Sequence, residues 1–402
     1  MTTVAPESAA MPAAAESPFS VLITLTFYYP HRTGLSLHVQ YVAEELARRG
    51  HRVTVLTAQF RDDLPLDEMM NGVHIVRLKT AAQISRGVIM PSFPTETNRL
   101  LKEHDVVSIH TPMLETPLVA RLARHHHKGV VITHHGDLTL PSGLMNRAIQ
   151  ATMSQLYHFG ARAADRIIAY SDDYAEHSPY ISPYLSKATA NYPPVKIVAP
   201  SKDARKKVRA RLGISDATPL VGYSGRFVEE KRPDLLLRAL PHLDRILPGA
   251  HLAFAGQYLM PYEDFYERSL PLIKRVEDRA HFLGLIENEQ DLADFYAACD
   301  VLVLPSSSEC FGLVQVESML CGTPVISTDI AGAREPVRVS GMGEVVRQRD
   351  TLALAQAIAR VITNRPAYVR TRDEISAIFN FERTVDGYET ILRDAAERAA
   401  NR

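Results

Sequence analysis

Cysteine is scarce in the sequence, with three among 402 residues and no pair at the spacing of a CxxC motif. Because Cys299, Cys310 and Cys321 are odd in number, we expect neither a disulfide framework nor a cysteine-bound zinc site. An excess of charge of either sign is also missing, since the formal net charge is -1, and this argues against a nucleic-acid partner. A reducing cytoplasm is the expected location.

Long apolar runs are missing as well, so no segment is expected to span a bilayer. Residues 1–18 contain Ala, Pro and Ser but lack the basic start and apolar core of a signal peptide, which predicts a disordered leader. The segment from Gly143 mixes an apolar face with arginines. A core helix of the first domain is the favoured interpretation of this segment, and peripheral contact with the inner face of a membrane stays open as the alternative.

Apolar strands alternate with amphipathic helices twice along the chain. Predicted strands fall at 21–27, 51–58, 73–78, 105–110, 130–135 and 165–171, and again from Pro219 at 219–227, 250–256, 281–285, 301–306 and 323–328. This alternation predicts an α/β fold of two doubly wound, Rossmann-like domains that face each other across a cleft. The expected domains are residues 19–198 and 199–380, followed by a C-terminal helix at 381–402 that packs back toward the first domain.

The segment GRFVEEKRPD, residues 225–234, follows the first strand of the second domain, where ligands of such sheets bind. Gly225 permits close approach of the backbone, and Arg226 offers a planar fork of donors for phosphate oxygens. Lys231 adds a point charge just before the expected start of a helix. Together these residues predict a clamp for a diphosphate. The alternative interpretation is a solvated, charged turn.

Two carboxylates, Glu309 and Glu317, flank a Phe-Gly step at a predicted strand-to-helix junction. On one continuous helix they would lie about 12 Å apart along the axis, too far for the roughly 5 Å between the acid and the nucleophile of a retaining glycosidase. A helix that begins near Phe311 to Leu313 instead leaves Glu309 in the loop and exposes amides between the acids, where a phosphate would bind. A nucleotide sugar fits, with sugar hydroxyls on Glu309 and ribose hydroxyls on Glu317. For either acid alone, the alternative is a capping or solvated residue.

The stretch ECFGLVQVE, followed by MLCGTPVI, resembles the signature of retaining family-four glycosyltransferases of the GT-B fold, the glycosyl transferases group 1. The resemblance runs from the first strand to FNFERTVDGYETIL. It implies a hexosyl-type enzyme with its nucleotide sugar on the second domain and its acceptor on the first. The resemblance implies that Arg226 and Lys231 neutralise the donor diphosphate, that Glu317 binds the ribose and that Glu309 contacts the donor sugar. The amides of Phe311, Gly312 and Leu313 would contact the phosphates and the sugar, and Leu285 and Ile286 would lie near the base. From the first domain, Gly34 would approach the donor phosphate and His135 would lie near the transferring sugar.

Two positions depart from the pattern of that family. Relatives carry two adjacent glycines after the first strand, whereas the HRTGLS segment has Gly34 alone. The step between the domains reads PPVKI, with Lys196 where an acid is common. This difference implies an altered hinge or acceptor side.

An Asp-x-Asp sequence, the metal-binding pair of other transferases, is missing from the chain. The histidines at 125–127 and 134–135 lack an acid or a cysteine at a convincing ligand spacing, and a helix end explains the first three. We therefore expect no metal and no cofactor. The leaving diphosphate would then be stabilised by Arg226, Lys231 and the helix amides.

The expected reaction is transfer of a sugar from a nucleotide-diphosphate sugar to an acceptor hydroxyl with retention of anomeric configuration. A front-face route is favoured, in which the leaving phosphate oxygen takes the proton of the acceptor. The acceptor is expected to be a glycan, a lipid-linked molecule or a small molecule. The alternatives are a GT-B epimerase or phosphorylase, and a non-catalytic nucleotide-sugar-binding protein, which would be expected to lose Glu309, His135 or Lys231. A dehydrogenase is disfavoured because no GxGxxG motif with a ribose-binding acid follows the first strand.

Overall fold

Two parallel sheets, one in each half of the chain, organise the residues that the computed structural model describes, which are 17–84, 87–139 and 143–402. The predicted leader, residues 1–18, lies outside this set except for Ser17 and Pro18, which are exposed. Within the described ranges, no helix is both long enough and apolar enough to cross a membrane.

The first sheet is built from the strands of the first half of the chain. The strands of this half are β1 (Ser20–Thr24), β2 (Arg52–Ala58), β3 (Asp67–Met70), β4 (Val73–Leu78), β5 (Ala82–Ile84), β6 (Gly87–Ile89), β7 (Val106–Thr111), β8 (Gly129–His134), β9 (Arg166–Ala169) and β10 (Ala188–Ala190). The order in the sheet is β10-β9-β8-β7-β1-β2-β4-β3, with β3 antiparallel to its neighbour. The strands β5 and β6 form a separate antiparallel hairpin.

Helices connect these strands on both faces of the sheet. They are α1 (Gly34–Arg48), α2 (Phe93–Leu101), α3 (Thr116–His125), α4 (Leu144–Ala163) and α5 (Asp172–His177), followed by a 3-10 helix (Ser182–Lys187). The first of them begins at a capping box, in which Thr33 Oγ1 accepts from the Ser36 amide at 3.2 Å and Ser36 Oγ accepts from the Thr33 amide at 2.8 Å. This cap fixes the start of α1 directly after the loop that follows β1.

The second half of the chain repeats the plan with a sheet of six parallel strands. Its elements are β11 (Leu220–Ser224), β12 (His251–Ala255), β13 (Ala280–Gly284), β14 (Val301–Leu304), β15 (Val325–Thr328) and β16 (Gly343–Val346), with helices α6 (Ala204–Arg211), α7 (Asp234–Leu243), α8 (Phe265–Ile273), α9 (Glu289–Ala298), α10 (Leu313–Leu320), α11 (Glu335–Ser340), α12 (Thr351–Thr363), α13 (Arg365–Tyr368), α14 (Arg372–Ile378) and α15 (Phe381–Ala400), and a short 3-10 helix (Glu229–Lys231). The strand order is β13-β12-β11-β14-β15-β16. The central neighbours β11 and β14 therefore bring the loops that follow them side by side.

Both sheets are buried on both faces. On β1, Val21 and Ile23 join one apolar layer and Leu22 joins the opposite layer, and all three are at most 1% exposed. On β12, Leu252 and Ala253 divide between two layers in the same way. Successive residues of a strand point to opposite faces, so these continuous apolar runs specify central strands covered by helices on each side.

The last helix, α15, leaves the second sheet and packs on the first. A Cβ atom on Gly129, at the start of β8, would lie 2.6 Å from the carbonyl carbon of Ala395, so glycine is needed for this close approach. At the end of α1, Arg49 forms ion pairs with Glu382 at 2.8 Å and Asp386 at 2.6 Å. The helix is thus held by packing against β8 and by charge pairs to α1.

Two features differ from the sequence-based expectation. The strands β3, β5, β6, β10 and β16 were not predicted, because each has only three or four residues and DEMM in β3 is also polar and largely exposed. The prediction of a core helix from Gly143 is wrong for the first half of α4. Its buried residues all lie near its C-terminal end, whereas Leu144 and Met145 are 84% and 77% exposed.

Candidate active site

A cleft lies between the two sheets, at the carboxyl ends of their strands. It contains two adjoining cavities of about 620 and 460 Å³. The residues that line both of them are Arg32, Thr33, Leu35, Pro112, Ser224, Gly225 and Arg226. The carboxyl edge of a doubly wound sheet is the position where ligands of such folds bind. The two sheets therefore contribute opposite walls to one candidate site.

The structure brings the sequence-predicted site residues together in this cleft, with one exception. The larger cavity is lined by Gly225, Arg226, Leu285 and Ile286, and the smaller by Gly34, His135, Gly225, Arg226, Lys231, Glu309, Phe311, Gly312 and Leu313. Glu317 lines neither cavity and lies behind the wall of the larger one. Residues more than 200 positions apart in the sequence thus meet at one place.

The loop after β11 begins with a close crossing of two backbones. A Cβ atom on Gly256, after β12, would lie 2.1 Å from the carbonyl oxygen of Gly225, so neither loop could approach the other with a side chain in that position. Gly225 itself has φ +149, which favours glycine. The next residue, Arg226, extends its exposed side chain into the cleft and donates from Nη1 to Tyr262 Oη at 2.6 Å. A planar guanidinium is thereby presented to both cavities.

Lys231, expected to neutralise the donor diphosphate, and Glu309, expected to contact the donor sugar, form a direct ion pair. The distance from Lys231 Nζ to Glu309 Oε2 is 2.7 Å, and Glu230 Oε1 lies 3.5 Å from the same ammonium. The pair joins the loop after β11 to the loop after β14, which are neighbours because these strands pair. Burial lowers the pKa of the Lys231 ammonium, but the carboxylates of Glu309 and Glu230 outweigh this effect and raise it above its ordinary value. Lys231 therefore remains a cation in the site.

The amino end of α10 opens onto the smaller cavity. Gly312 is its N-cap, with φ +79 and no side-chain cap for the first amides. A Cβ atom at this position would lie 2.6 Å from Leu304 Cδ2 and 2.7 Å from Gln315 Nε2, so the turn has space for glycine alone. Uncapped amides at a helix start favour an anion. The helix begins within the predicted range of Phe311 to Leu313.

Glu317 is held by a tyrosine that sequence reasoning missed. Tyr296 donates from Oη to Glu317 Oε2 at 2.7 Å, and the same hydroxyl lies 3.0 Å from Ser224 Oγ at the end of β11. Burial raises the pKa of the Glu317 carboxyl, and the hydrogen bond from Tyr296 partly opposes this. The acid is thus connected to the wall of the larger cavity through Ser224, which lines it.

His135 borders the smaller cavity, but both nitrogens of its ring are already bonded inside the protein. Nε2 lies 2.7 Å from His110 Nδ1, and Nδ1 is in short contact with Tyr170 Oη. His38, His110 and His135 have ligand nitrogens within 4.8 Å of one another, a spacing that could hold a metal ion. The bonded distance between His110 and His135 is shorter than the separation of two nitrogens on one zinc ion at 2.0–2.1 Å each, so a metal would have to break this hydrogen bond.

Several contacts cross the cleft and were not predicted. Arg32 donates from Nη1 to the carbonyl of Glu287 at 3.0 Å, and the Cys310 thiol donates to the carbonyl of His135 at 2.9 Å. A Cβ atom on Gly34 would lie 3.4 Å from Leu313 Cδ1, so the amino ends of α1 and α10 face each other. The signal for Arg32 was its position two residues before Gly34.

Lys196, a departure from the pattern of the resembling family, lies between the two halves of the chain. Its ammonium is 3.5 Å from the ring centroid of Phe381, at the start of α15, and 5.7 Å from that of Tyr41 on α1. A cation over an aromatic face is attractive. Lys196 thus contacts the start of α15, where the chain returns from the second half to the first sheet.

Comparison with known proteins identifies the two halves. Residues 204–376 match the family described as Glycosyl transferases group 1, and residues 33–179 match the Glycosyl transferase 4-like domain. A D-inositol 3-phosphate glycosyltransferase of Saccharomonospora viridis is 27% identical over an alignment of 390 residues, which covers 90% of this chain and 89% of that protein.

Solved structures share the fold. Sucrose-phosphate synthase of Thermosynechococcus elongatus has a TM-score of 0.74 at 23% identity, covering 94% of this chain and 98% of that one. HepE of Anabaena in complex with UDP-glucose has a TM-score of 0.72 at 21% identity, covering 96% and 100%. The resemblance found in the sequence is confirmed, and the chain belongs to the glycosyl transferases group 1, as a glycosyltransferase of the GT-B fold.

Proposed function

We propose that the chain transfers a sugar from a nucleotide-diphosphate sugar to an acceptor hydroxyl, with retention of anomeric configuration and without a metal ion. The observation that carries this proposal is the convergence of Arg226, Lys231, Glu309 and the uncapped start of α10 on one cavity. Two cations and a helix start favour a diphosphate, and an acid beside them favours sugar hydroxyls. A solved relative in fold, HepE, holds UDP-glucose.

The donor would extend along the cleft from the larger cavity, which would hold its base, to the smaller cavity, which would hold its sugar. Its base would lie near Leu285 and Ile286 in the larger cavity, and its ribose would lie toward Glu317. The diphosphate would contact Arg226, Lys231 and the amides from Phe311 to Leu313, which leaves the sugar beside Glu309. The first domain, residues 19–198, would present the acceptor, and residues 199–380 would bind the donor.

Retention would follow from a front-face route. The bond from the acceptor oxygen to the anomeric carbon forms on the face from which the bond to the phosphate oxygen breaks, and the acceptor proton passes to that phosphate oxygen. Arg226 and Lys231 would absorb the charge that develops on the diphosphate. The two ring nitrogens of His135 are occupied by His110 and Tyr170, so its contribution would come through position rather than proton transfer.

The proposal assigns leaving-group stabilisation to the protein alone. Glu309 is bonded to the Lys231 ammonium, and the nearby histidines are bonded to one another, so neither set is arranged around a metal ion. The three cysteines are free thiols, which favours a reducing compartment and thus a cytoplasmic location. Peripheral contact with a membrane would use the exposed Leu144 and Met145 at the start of α4.

The test is a thermal-shift screen with UDP, GDP and ADP, followed by incubation with the sugar donors of the nucleotide that binds. A ligand at 100 times its dissociation constant should stabilise the protein by about 2.7 kcal/mol. Released nucleotide would report transfer or slow hydrolysis, and NMR of the product would give the anomer. Arg226→Ala should reduce the rate of nucleotide release on the order of 100-fold. Arg238 is an exposed arginine on α7, and Arg238→Ala should leave that rate unchanged.

Three outcomes separate the alternatives. Binding without turnover of any donor would favour a non-catalytic nucleotide-sugar-binding protein. Turnover that requires inorganic phosphate would indicate a phosphorylase, and sugar isomerisation without transfer would indicate an epimerase. Failure of all three nucleotides to bind would contradict the proposal.

A further inference from the structure

A continuous chain of hydrogen bonds runs through the first domain beneath the smaller cavity. It passes from Ser108 to His110, His135, Tyr170, His38, Tyr388 and Thr133, in that order. These seven side chains come from α1, β7, β8, α15 and the residues that follow β8 and β9. All but the half-buried His135 are buried.

The composition of this chain requires all of its bonds to run in the same direction, and the bond from Tyr388 to Thr133 sets that direction. A neutral imidazole has one N–H and a phenol has one O–H, so each member donates to one neighbour and accepts from the other. Tyr388 donates to Thr133 Oγ1 at 3.4 Å, which leaves its oxygen to accept from His38 Nε2 at 2.7 Å. His38 Nδ1 then accepts from Tyr170 at 3.1 Å.

The same count of donors and acceptors assigns the tautomer of His135. Because Tyr170 gives its proton to His38, its oxygen must accept from His135 Nδ1, which therefore carries the hydrogen. His135 Nε2 accepts from His110 Nδ1 at 2.7 Å, and His110 Nε2 accepts from Ser108 Oγ at 3.1 Å. Burial and the neighbouring imidazoles lower the pKa of His38 and His135 well below the ordinary value, and burial lowers that of His110 to about 3. The neutral forms that this pattern needs are thus the stable ones.

His135 transmits this fixed position to the donor cavity through its backbone. Its carbonyl accepts from the Cys310 thiol, between Glu309 and Phe311, and its amide donates to the carbonyl of Thr111 at 3.0 Å. Tyr170 also packs edge-on against the ring of Phe311, with centroids 6.2 Å apart. Tyr170, which is bonded to the His135 ring, therefore also packs against the loop that carries the predicted sugar-binding acid.

We propose that Tyr170, His38 and Tyr388 are positioning residues of the donor site. The hydrogen-bonded chain that they complete holds the His135 ring in one tautomer and one orientation, and so sets its carbonyl against Cys310. Tyr170 lines the smaller cavity, whereas His38 and Tyr388 line neither cavity. Because Tyr388 belongs to α15, the last helix contributes directly to the geometry of the site. The kinetic consequence rests on the proposed function, whereas the tautomer and the contact with Cys310 do not.

The first test reads the tautomers without any substrate. Full-length protein with 15N-labelled histidine is compared as wild type, Tyr170→Phe and Tyr157→Phe by long-range 1H–15N spectra, with peaks assigned by removing one histidine at a time. Tyr157 is the matched control, a buried tyrosine whose hydroxyl has no hydrogen-bond partner in the described part of the chain. His135 should carry its proton on Nδ1 in the wild type and in the control, and should become a mixture of tautomers in Tyr170→Phe. An unchanged His135 signal in Tyr170→Phe would overturn the proposal.

The second test reads the position of the carbonyl through Cys310. Cys299 and Cys321 are buried, so alkylation by N-ethylmaleimide, followed by mass spectrometry of peptides, reports mainly on Cys310. Loss of the Tyr170 hydroxyl should raise the alkylation rate of Cys310 about 5-fold or more, and Tyr157→Phe should not change it. Equal rates in all three proteins would contradict a role for Tyr170 in this contact.

The third test connects the chain to turnover. With the donor found for the wild type, Tyr170→Phe should lower kcat about 10-fold while the affinity for the nucleoside diphosphate changes less than about 2-fold. Tyr388→Phe, which keeps the ring and is two bonds further from His135, should give a smaller loss in the same direction. If Tyr170→Phe does not fold, Tyr388→Phe carries all three measurements. A normal kcat with shifted tautomers would remove the role in positioning, whereas absence of turnover in the wild type would count against the proposed function alone.

Discussion

Removal of Lys231 should destabilise the protein more than removal of its partner Glu309. The ammonium lies 2.7 Å from Glu309 and 3.5 Å from Glu230, with side chains 17% and 12% exposed for Lys231 and Glu309. Lys231→Met leaves a mostly buried carboxylate without its cation. Glu309→Gln leaves the cation with Glu230 still beside it. The two substitutions are therefore unequal although they remove the same bond.

The burial of the pair sets the size of the effect. Exposed ion pairs contribute about 0.2–1 kcal/mol, and breaking a fully buried pair costs about 3–5 kcal/mol. At 12–17% exposure, Lys231→Met should cost about 2–3 kcal/mol and Glu309→Gln about 1 kcal/mol. The double variant should recover about 1–2 kcal/mol relative to the sum, because the unpaired carboxylate is then gone.

Urea unfolding at pH 7 of the wild type, both single variants and the double variant measures these differences. Arg268→Met is the control, since it removes a cation from a pair with Glu229 whose side chains are 50% and 54% exposed, and it should cost less than about 0.5 kcal/mol. Additivity of Lys231→Met and Glu309→Gln within about 0.5 kcal/mol would refute the coupling. Equal costs for the two single variants would refute the role assigned to Glu230.

Three further predictions concern the metal, the histidines and the start of α10. Treatment with a chelator should leave transferase activity intact, and complete loss restored by Mg²⁺ would show that the leaving diphosphate needs a cation. Acid should destabilise the protein through His110, because burial lowers its folded pKa to about 3 while the unfolded chain binds a proton near pH 6.5. Stability is then complete above pH 6.5 and falls by about 2 kcal/mol at pH 5, a slope that His110→Asn should reduce in urea unfolding at both pH values. Gly312→Ala should cost more stability than Gly322→Ala, since both have φ near +80 but a Cβ at Gly322 meets nothing within 4 Å; equal costs would contradict the close packing at Gly312.

The sequence predicted the loops of the site better than the bonds within it. Continuous apolar runs at regular spacing indicated two doubly wound sheets, and their topology places every following loop at one edge. This was enough to bring Arg226, Lys231 and Glu309 to one cavity. It could not predict their pairing, because strand order decides which loops adjoin, and the adjacency of β11 and β14 is not written in either segment.

Residues that act through others were missed for a related reason. Tyr296 and Tyr170 follow no site motif, and each contacts a predicted residue from a distant part of the chain. One signal was available in DVVSIH, where Ser108 and His110 are polar at a spacing of two inside an otherwise apolar strand. Such a pair points to one buried face and requires partners there. The partner Tyr388 could not be found, since it depends on the return of α15 to the first sheet.

The two acids, Glu309 and Glu317, give the most direct test of the central claim that one extended nucleotide sugar lies along the cleft. The measurement is calorimetric titration of the nucleoside diphosphate that binds the wild type into Glu317→Gln and Glu309→Gln. Glu317→Gln keeps an oxygen for Tyr296 but loses the charge offered to ribose, so affinity should fall about 10-fold or more. Glu309→Gln should bind the bare nucleotide about as well as the wild type, since its proposed partner is the absent sugar and Lys231, with Glu230 still beside it, remains a cation for the diphosphate. Equal loss of affinity in both variants, or normal affinity in Glu317→Gln, would contradict the account.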